Sequence, residues 1–421
     1  MTDATTTVSP QSTAQILARM RWIIVLACLS ITTVIAGLPI YSGQFQTTGL
    51  EIGGLYATSA LMAAVSRPLF GRLLDSVGRK PVLLTGICFM IVSLIMFALS
   101  NGKLGLFFAQ FLHGLGLGTI LLAAYTITYD LANDSGRGSS FGLTEESQYR
   151  GGIWGAILLL PILLSSGWNP QGELHITRNV WIYGFALYGV GAVASLVLAW
   201  MLIPETMPKS GTVGASSDRL SFRDHKLNII LVVVLLTSAS AYSIQPFILT
   251  FIERFVTSNV TWIGLAYVPG AIVSGLAPSR FGGLSDRVGR KPPMIVALSV
   301  SAAISMALVA FSFLGGWTVQ AKLAVFAAFG LIEALAYAAS IPAEQALVAD
   351  VTGGKHRGAA FGMYTLAQSS GKVVGPLLMG GLSEGFKEGP FVVNAIILII
   401  GVLIVRLGIT EAKNLRASRQ T

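Results

Sequence analysis

Six ionisable side chains stand in stretches of the sequence that are otherwise almost wholly apolar. They are His113, Glu145, Glu146, Arg150, Glu333 and Lys372. Carboxyl and imidazole groups can bind and release protons, whereas guanidinium and ammonium groups can bind a carboxylate. A charge at the centre of a bilayer costs about 2.5–3.5 kcal/mol or more on insertion scales, so such residues are usually functional or paired. If the apolar stretches cross a membrane, these six residues are the first candidates for a binding site.

Several of these residues also have a purely structural interpretation. Glu146 and Arg150 are four residues apart in the favourable acid-first order, so they either neutralise each other or contact a ligand. His113 is flanked by apolar residues and is either a ligand group or a hydrogen-bonded core residue. Lys372 either balances Glu333 or holds a substrate carboxylate. The sequence leaves these alternatives open.

Glu333 is the leading candidate for a proton carrier. It has no basic neighbour within one helical turn, so no cation along its own helix holds it ionised. Glu145 and Glu146 are further candidates for proton coupling, and Glu145 faces another side of its helix. Tyr242 and Gln245 add hydrogen-bonding groups in a later apolar stretch and are candidate substrate contacts.

The apolar stretches are long and numerous enough to build a membrane protein. Of the 421 residues, 53% are hydrophobic and 11% are charged, and a membrane-spanning helix needs about 20 mostly apolar residues. Stretches of that length centre near Ala27, Leu61, Val92, Thr119, Leu158, Val190, Val234, Val268, Ser301, Ala328, Val374 and Ile399. The composition predicts an all-α polytopic membrane protein with 12 transmembrane helices, because barrel strands would be short and alternating.

Basic residues are distributed unequally between the two sides of this predicted membrane protein. We assign 21 of the 28 Lys and Arg residues to the two tails and the even-numbered loops, five to the odd-numbered loops and two to spans. The positive-inside rule then places both termini in the cytoplasm, and the short loops favour a bacterial inner membrane. The net charge of +9 reflects this topology, so the lipid bilayer is an expected partner and nucleic acid is not.

Two sequence motifs each occur twice. "GRLLDSVGRKP" at 71–81 shares eight of its 11 positions with "GGLSDRVGRKP" at 282–292, at an offset of 211. The segment 130–155 resembles the segment 350–375 at an offset of 220. Such parallel duplication is the architecture of one large transporter class. We therefore predict two pseudo-symmetric six-helix bundles at 22–203 and 227–408, a cytoplasmic linker at 204–226, and cytoplasmic tails at 1–21 and 409–421.

The repeated loop motif carries a family resemblance. Its pattern G-x-x-x-D-x-x-G-R-K resembles the signature of the major facilitator superfamily, and "PET" at 204–206 resembles another common mark of that superfamily. "SGKVVGPLLMGG" at 370–381 is similar to the Gly-Pro motif of antiporter members, which implies helix packing for Gly371, Gly375 and Pro376. That motif usually lies in span five, where this chain has "RGGIWGAILLLP". The resemblance to the drug/proton antiporter branch implies a central cavity lined by spans one, four, seven and ten.

The resemblance also implies that the repeated loops form a conformational latch. Asp75 and Asp286 can accept hydrogen bonds at a neighbouring helix N-terminus, where the partial positive charge favours a carboxylate. The glycines of the motif permit tight turns and close helix contact, and its basic residues can pair with acids at the cytoplasmic ends of spans four and ten. The complete predicted latch comprises Gly71, Asp75, Gly78, Arg79, Lys80, Asp130, Arg137, Gly282, Asp286, Gly289, Arg290, Lys291, Asp350 and Arg357.

These features together favour a secondary transporter that exports a small zwitterionic, carboxylate-bearing or amphiphilic solute in exchange for protons, working as a monomer. One alternative is proton-coupled uptake of an organic acid or nutrient, which the same fold supports. Another is a receptor or scaffold that transports nothing, although such a protein needs neither the repeated loops nor the buried charges. We expect no enzyme, cofactor or metal site, because the sequence lacks a phosphate loop, an H-E-x-x-H motif and a Cys/His metal spacing.

The latch hypothesis makes a prediction for Asp75→Asn. This change should slow transport while leaving ligand affinity nearly unchanged, because a latch acts on the conformational step and makes no contact with the ligand. Transport rate and ligand affinity, measured side by side on the purified protein, check it. A large loss of affinity with normal turnover would contradict the latch.

Overall fold

A computed structural model describes residues 10–131, 137–165, 177–207, 225–277, 288–313, 315–351 and 357–409. Within these ranges the chain forms thirteen α-helices and no β-strand. They are α1 (Pro10–Ala27), α2 (Ile31–Gly43), α3 (Gly49–Ser76), α4 (Arg79–Leu99), α5 (Lys103–Leu131), α6 (Arg137–Ser165), α7 (Arg178–Leu202), α8 (His225–Phe255), α9 (Val260–Leu276), α10 (Lys291–Ser312), α11 (Val319–Val351), α12 (Arg357–Gly385) and α13 (Gly389–Gly408).

Eight stretches of the described helices are long and apolar enough to cross a membrane. One of them, Thr13–Ile35, runs through α1 and into α2, which are separated only by residues 28–30. Counted as one segment, α1 and α2 leave twelve helical segments in the described chain. The four segments outside the eight are α3, α6, α9 and α12, and of these α3, α6 and α12 carry glycine, serine and charge throughout.

The described chain divides into two compact units. Among the described residues, the first unit holds 10–41, 62–131, 137–165 and 177–207. The second unit holds 42–61, 225–277, 288–313, 315–351 and 357–409. The helix α3 therefore belongs to the second unit up to Leu61 and to the first unit beyond it. The sequence-derived boundaries at 22–203 and 227–408 stay a prediction.

The bounds of the helices repeat along the chain as the sequence duplication predicts. The helix α5 ends at Leu131 and α11 ends at Val351, while α6 and α12 begin at Arg137 and Arg357, so both pairs keep the sequence offset. The helices α6 and α12 have the same length, 29 residues. The duplicated sequence thus forms duplicated structure.

A left-handed glycine lies before α4 and another lies before α10. Gly78 has a φ of 116° and Gly289 has a φ of 95°. Residues with a Cβ adopt this region at a cost, whereas glycine does not. The second glycine of each loop motif therefore makes the turn into the following helix.

The lysine of each motif copy binds the end of another helix in its own unit. Lys80 donates from Nζ to the carbonyl oxygen of Trp200 at 2.6 Å, near the end of α7. Lys291 donates from Nζ to the carbonyl oxygens of Arg406 and Ile409, each at 2.8 Å, at the end of α13. A cation there satisfies carbonyl groups that have no partner within the helix, and it interacts favourably with the negative end of the helix dipole.

Glycines bring α6 and α12 into backbone contact with a neighbouring helix. In the first unit, a Cβ on Gly151 would lie 2.6 Å from the carbonyl oxygen of Val25 in α1. In the second unit, a Cβ on Gly371 would lie 2.7 Å from the backbone nitrogen of Ala239 in α8. One turn further on, Gly155 and Gly375 press against backbone carbonyls in the same way. Small residues allow this close approach of membrane helices.

The two units also have separate apolar cores. In the first unit, the rings of Phe97 and Phe185 stack with centroids 5.0 Å apart, and Tyr41 donates a hydrogen bond to the Phe97 carbonyl oxygen at 2.7 Å. In the second unit, α8, α10, α11 and α13 share a core that includes Val233, Val234, Met294, Leu298, Ala343, Leu347 and Leu398.

The glycine contacts predict the effect of Gly375→Ala. The new Cβ would overlap the Ala239 carbonyl group, and overpacking of this kind typically costs about 1–3 kcal/mol. Gly381→Ala is the matched control, because a Cβ there meets open space on the same helix and alanine favours a helix by about 1 kcal/mol over glycine. Thermal unfolding in detergent should show a lower midpoint for Gly375→Ala alone. Equal midpoints would contradict the packing role.

Candidate functional site

The N-terminus of α4 is capped by a carboxylate that is distant in sequence. The backbone N–H of Arg79 donates to Glu205 Oε1 at 2.8 Å, and that of Lys80 donates to Oε2 at 3.1 Å. The first backbone N–H groups of a helix have no partner within it, and its positive end attracts an anion. Because the N-cap residue Gly78 has no side chain to offer, Glu205 satisfies this end of α4.

Arg79 joins the same cluster through its side chain. Its Nε donates to Asp130 Oδ2 at 2.9 Å and its Nη1 donates to the Leu74 carbonyl oxygen at 2.8 Å, and the residue is buried. Thr206 donates from Oγ1 to Asp130 Oδ2 at 3.2 Å. We call Arg79, Asp130, Glu205 and Thr206 the loop cluster. It joins the start of α4 to the end of α5 and to the chain just after α7.

Sequence reasoning did not assign Glu205 and Thr206 to the latch. The available signal was the "PET" mark, in which an acid and a hydroxyl directly follow the end of a helix. The structure brings the Arg79 side chain to Asp130, whereas the Lys80 side chain binds a carbonyl group and forms no ion pair with a described acid.

The other predicted latch residues are placed only in part. Gly71 lies in α3 with open space around it, and Arg290 lies at the start of α10. Gly282 and Asp286 lie outside the described residues, and the side chains of Asp75, Arg137, Asp350 and Arg357 also lie outside the description.

An ion pair lies inside the first unit on α6. Arg150 donates from Nη2 to Glu146 Oε2 at 2.8 Å. The two side chains differ in burial, because that of Glu146 is 7% exposed and that of Arg150 is 45% exposed. The guanidinium group therefore has donors left for a ligand, whereas the carboxylate depends on Arg150. The side chain of Glu145 lies outside the description.

His113 is buried in α5 of the first unit. Its Nε2 lies 3.5 Å from Ser30 Oγ, in the short break between α1 and α2, and its ring meets Phe97 edge-on. Its Nδ1 has no hydrogen-bond partner among the described residues, and neither has the buried Oε1 of Gln110, three residues earlier. Together with Thr119 Oγ1, three polar atoms of α5 are thus available in the interior of this unit.

A polar cavity lies inside the second unit, between α8, α10, α11, α12 and α13. Glu333 of α11 lines it. Ser301 of α10 donates to Glu333 Oε1 at 2.8 Å, and Glu333 Oε2 is buried without a partner among the described residues. Water or a proton at this carboxylate would satisfy the free oxygen.

Lys372 and Tyr242 meet beside this cavity. The Lys372 ammonium group lies 4.5 Å from the centre of the Tyr242 ring, within the range of a cation–π contact, and Tyr242 lines the cavity. Lys372 makes no ion pair with a described carboxylate, so the structure does not bring it to Glu333. The side chain of Gln245 lies outside the description.

Glu344 is a second carboxylate in the same cavity, and sequence reasoning missed it. The residue is 4% exposed, and its carboxyl group lies near the Thr237 side chain, which lines the same cavity. Its spacing in the sequence could have identified it. Glu344 follows Glu333 by eleven residues, and three helical turns bring a side chain back to nearly the same face of the helix.

Repeated helical halves that cross the membrane, each with ionisable side chains in its interior, define the class of secondary membrane transporters. The sequence profile of the Major Facilitator Superfamily matches residues 22–332 and 281–420. The chain belongs to this superfamily, and it is a multi-pass membrane protein.

Curated relatives cover most of the chain. The quinolone resistance protein NorA of Staphylococcus aureus (strain MRSA252) is 23% identical over 389 residues, which is 91% of this chain and 93% of NorA. The MFS-type transporter YuxJ of Bacillus subtilis (strain 168) is also 23% identical, over 83% of this chain and 86% of YuxJ.

Solved structures of transporters share the fold. The nucleoside transporter NupG superposes with a TM-score of 0.69 at 16% identity, covering 93% of this chain and 97% of NupG. The human organic anion transporter MFSD10 superposes with a TM-score of 0.63 at 14% identity, covering 93% of this chain and 99% of MFSD10. The predicted all-α fold with twelve transmembrane helices in two repeated halves is confirmed.

The unequal burial of the α6 ion pair predicts unequal effects of its loss. Arg150→Gln leaves a buried carboxylate without its hydrogen-bonded partner, with Arg21 as the remaining nearby cation, and should cost about 1–3 kcal/mol, whereas Glu146→Gln leaves a half-exposed guanidinium and should cost clearly less. The double variant should recover most of the loss. Thermal unfolding of the four proteins in detergent forms a double-mutant cycle. A Glu146→Gln variant as unstable as Arg150→Gln would contradict this prediction.

Proposed function

We propose that this transporter exports a small zwitterionic, carboxylate-bearing or amphiphilic drug-like solute by alternating access, in exchange for protons. The observation that carries the proposal is Glu333, a partly buried residue of a membrane segment whose carboxyl group has one buried, unpartnered oxygen, one hydroxyl donor and no described cation beside it. A carboxylate in this position is costly to keep charged, so binding a proton is the direct way to hold it in the membrane.

We infer the chemical class of the solute from one cation within a membrane segment of each unit. Arg150 keeps unused donors beside Glu146, and Lys372 lies over an aromatic ring next to a polar cavity. A solute with a carboxylate, an aromatic body and a basic amine would complement the cations, the aromatic ring and the carboxylate of these sites. Quinolones have this composition, and the name of the relative NorA refers to resistance against them.

The loop cluster supports alternating access. Arg79 and Asp130 form a buried ion pair, and Glu205 caps α4 at the same place. Such a cluster is stable as a whole and is expensive to break in part. We propose that it latches one conformation and is released in the other. Two of its members directly follow α7, at the start of the predicted linker 204–226.

The remaining assignments complete the proposal. The distribution of basic residues supports a bacterial inner membrane location with both termini in the cytoplasm. We propose a monomer whose partners are the solute, protons and lipid. The predicted roles of His113, Gln245, Glu145 and the second copy of the loop motif remain part of this proposal.

Everted membrane vesicles test the proposal. Respiration acidifies the vesicle lumen, which quenches a pH-sensitive acridine dye, and a solute that exchanges for protons restores the fluorescence. We expect a fluoroquinolone such as norfloxacin, or another zwitterion from a mixed library, to restore it with the wild type and not with Glu333→Gln. Glu388→Gln is the matched control, because this acid has no described contact through its side chain and lies outside the cavity.

Three outcomes would favour another function. Protonophore-sensitive accumulation of a solute in whole cells would indicate uptake. Tight binding of a fluorescent solute that never crosses proteoliposomes would indicate a receptor. Exchange that proceeds unchanged in Glu333→Gln would keep the exporter and remove Glu333 as its proton carrier.

A further inference from the structure

We propose that Glu344 is a proton relay residue, which passes protons between Glu333 and the end of α11 that carries Asp350. The inference rests on the proposed proton coupling and adds the path that the proton takes through the second unit. Under the proposed topology that end of α11 is cytoplasmic, so the path connects the middle of the membrane with the cytoplasm.

The polar side chains that line the cavity from α11 follow one face of the helix. Glu333, Tyr337, Ser340 and Glu344 all line it, and the steps between them are four, three and four residues. At about 1.5 Å per residue, the two carboxylate positions are about 16 Å apart along the helix and nearly in line. This distance is too long for one proton to be shared, but each step between neighbours spans only one turn.

The cavity supplies the groups that a proton needs between these stations. Hydroxyl groups of α8 and α10 face the α11 ladder, among them Thr237, Ser240 and Ser301. The cavity has a volume of about 40 Å³, which is room for about three waters. Hydroxyls and waters donate and accept hydrogen bonds at the same time, so a chain of them conducts a proton.

No described cation holds either carboxylate as a static ion pair. The other titratable groups that line the cavity are the phenols of Tyr242 on α8 and Tyr337 on α11. From α12 and α13 the lining residues are Gln368 and Leu398, and from α10 they are small or apolar apart from Ser301. Lys372 is directed to the Tyr242 ring.

A purely structural role explains Glu344 poorly. The nearby Thr237 hydroxyl donates to the Val234 carbonyl oxygen at 3.1 Å, and a neutral amide would fit beside it equally well. A buried carboxylate without a counter-charge, in contrast, costs several kcal/mol. A carboxyl group is required only if the proton comes and goes. In each cycle, protonated Glu333 gives its proton to the chain of waters and hydroxyls, Glu344 carboxylate receives a proton from it, and Glu344 then releases a proton at the end of α11.

Infrared spectroscopy of the reconstituted protein tests the relay without a substrate. Changing the buffer from H2O to D2O shifts the C=O stretch of a protonated carboxyl group, and the band absent in Glu333→Gln belongs to Glu333. We expect this band to exchange about a hundredfold more slowly in Glu344→Gln, the scale of one positioned proton-transfer group. Glu344→Asp should stay close to the wild type, and Glu388→Gln, the same chemical change outside the cavity, should match it.

The outcomes separate the relay from the proposed coupling. A Glu333 band that exchanges equally fast in the wild type and in Glu344→Gln overturns the relay and leaves proton coupling intact. A wild type without a protonated Glu333 band between pH 5 and 8 overturns both, because Glu333 then carries no proton. If Glu344→Gln fails to fold, slow exchange in Thr237→Val with normal exchange in Glu388→Gln supports the relay, and wild-type exchange in Thr237→Val overturns it.

Discussion

Lipid offers no hydrogen bonds, and this constraint orders the whole structure. Every polar group within the hydrocarbon must find its partner inside the chain. Most hydroxyls of the described helices do so locally: Thr85, Thr128 and Ser147, for example, each donate to the carbonyl oxygen four residues earlier at 2.7–2.9 Å. These residues add little polarity to the interior. Ionisable side chains that face another helix or an internal cavity stand out, among them His113, Glu333 and Glu344.

The same constraint concentrates charge at the ends of the helices. Lys80 and Lys291 bind free carbonyl groups at the ends of α7 and α13, and Glu205 binds free N–H groups at the start of α4. These contacts satisfy backbone groups and also join one helix to another. The duplicated loop is therefore a repeated solution to one problem, the satisfaction of helix ends at the membrane surface.

The sequence predicts features that depend on residues close together in the chain. It does not predict contacts between residues that are far apart in the chain. The duplicated motifs predict repeated helix bounds and the glycine turns at Gly78 and Gly289, because local chemistry determines both. The contact partners of the motif residues cannot be predicted in this way. Glu205 is 126 residues from Arg79, and only the packing of α7 against α4 brings them together. Helical periodicity likewise predicts that Glu344 lies on the same face of α11 as Glu333. The presence of a cavity at that face depends on four other helices.

The four packing glycines have a consequence for how this transporter changes over evolutionary time. Every other amino acid carries a Cβ, so any missense change at Gly151, Gly155, Gly371 or Gly375 places an atom where a neighbouring backbone already lies. Two of these positions directly adjoin a charged residue, because Gly151 follows Arg150 and Gly371 precedes Lys372. A substitution at residue 150 or 372 can therefore change the charge at that position without placing an atom in the helix contact, whereas a substitution at the adjoining glycine cannot.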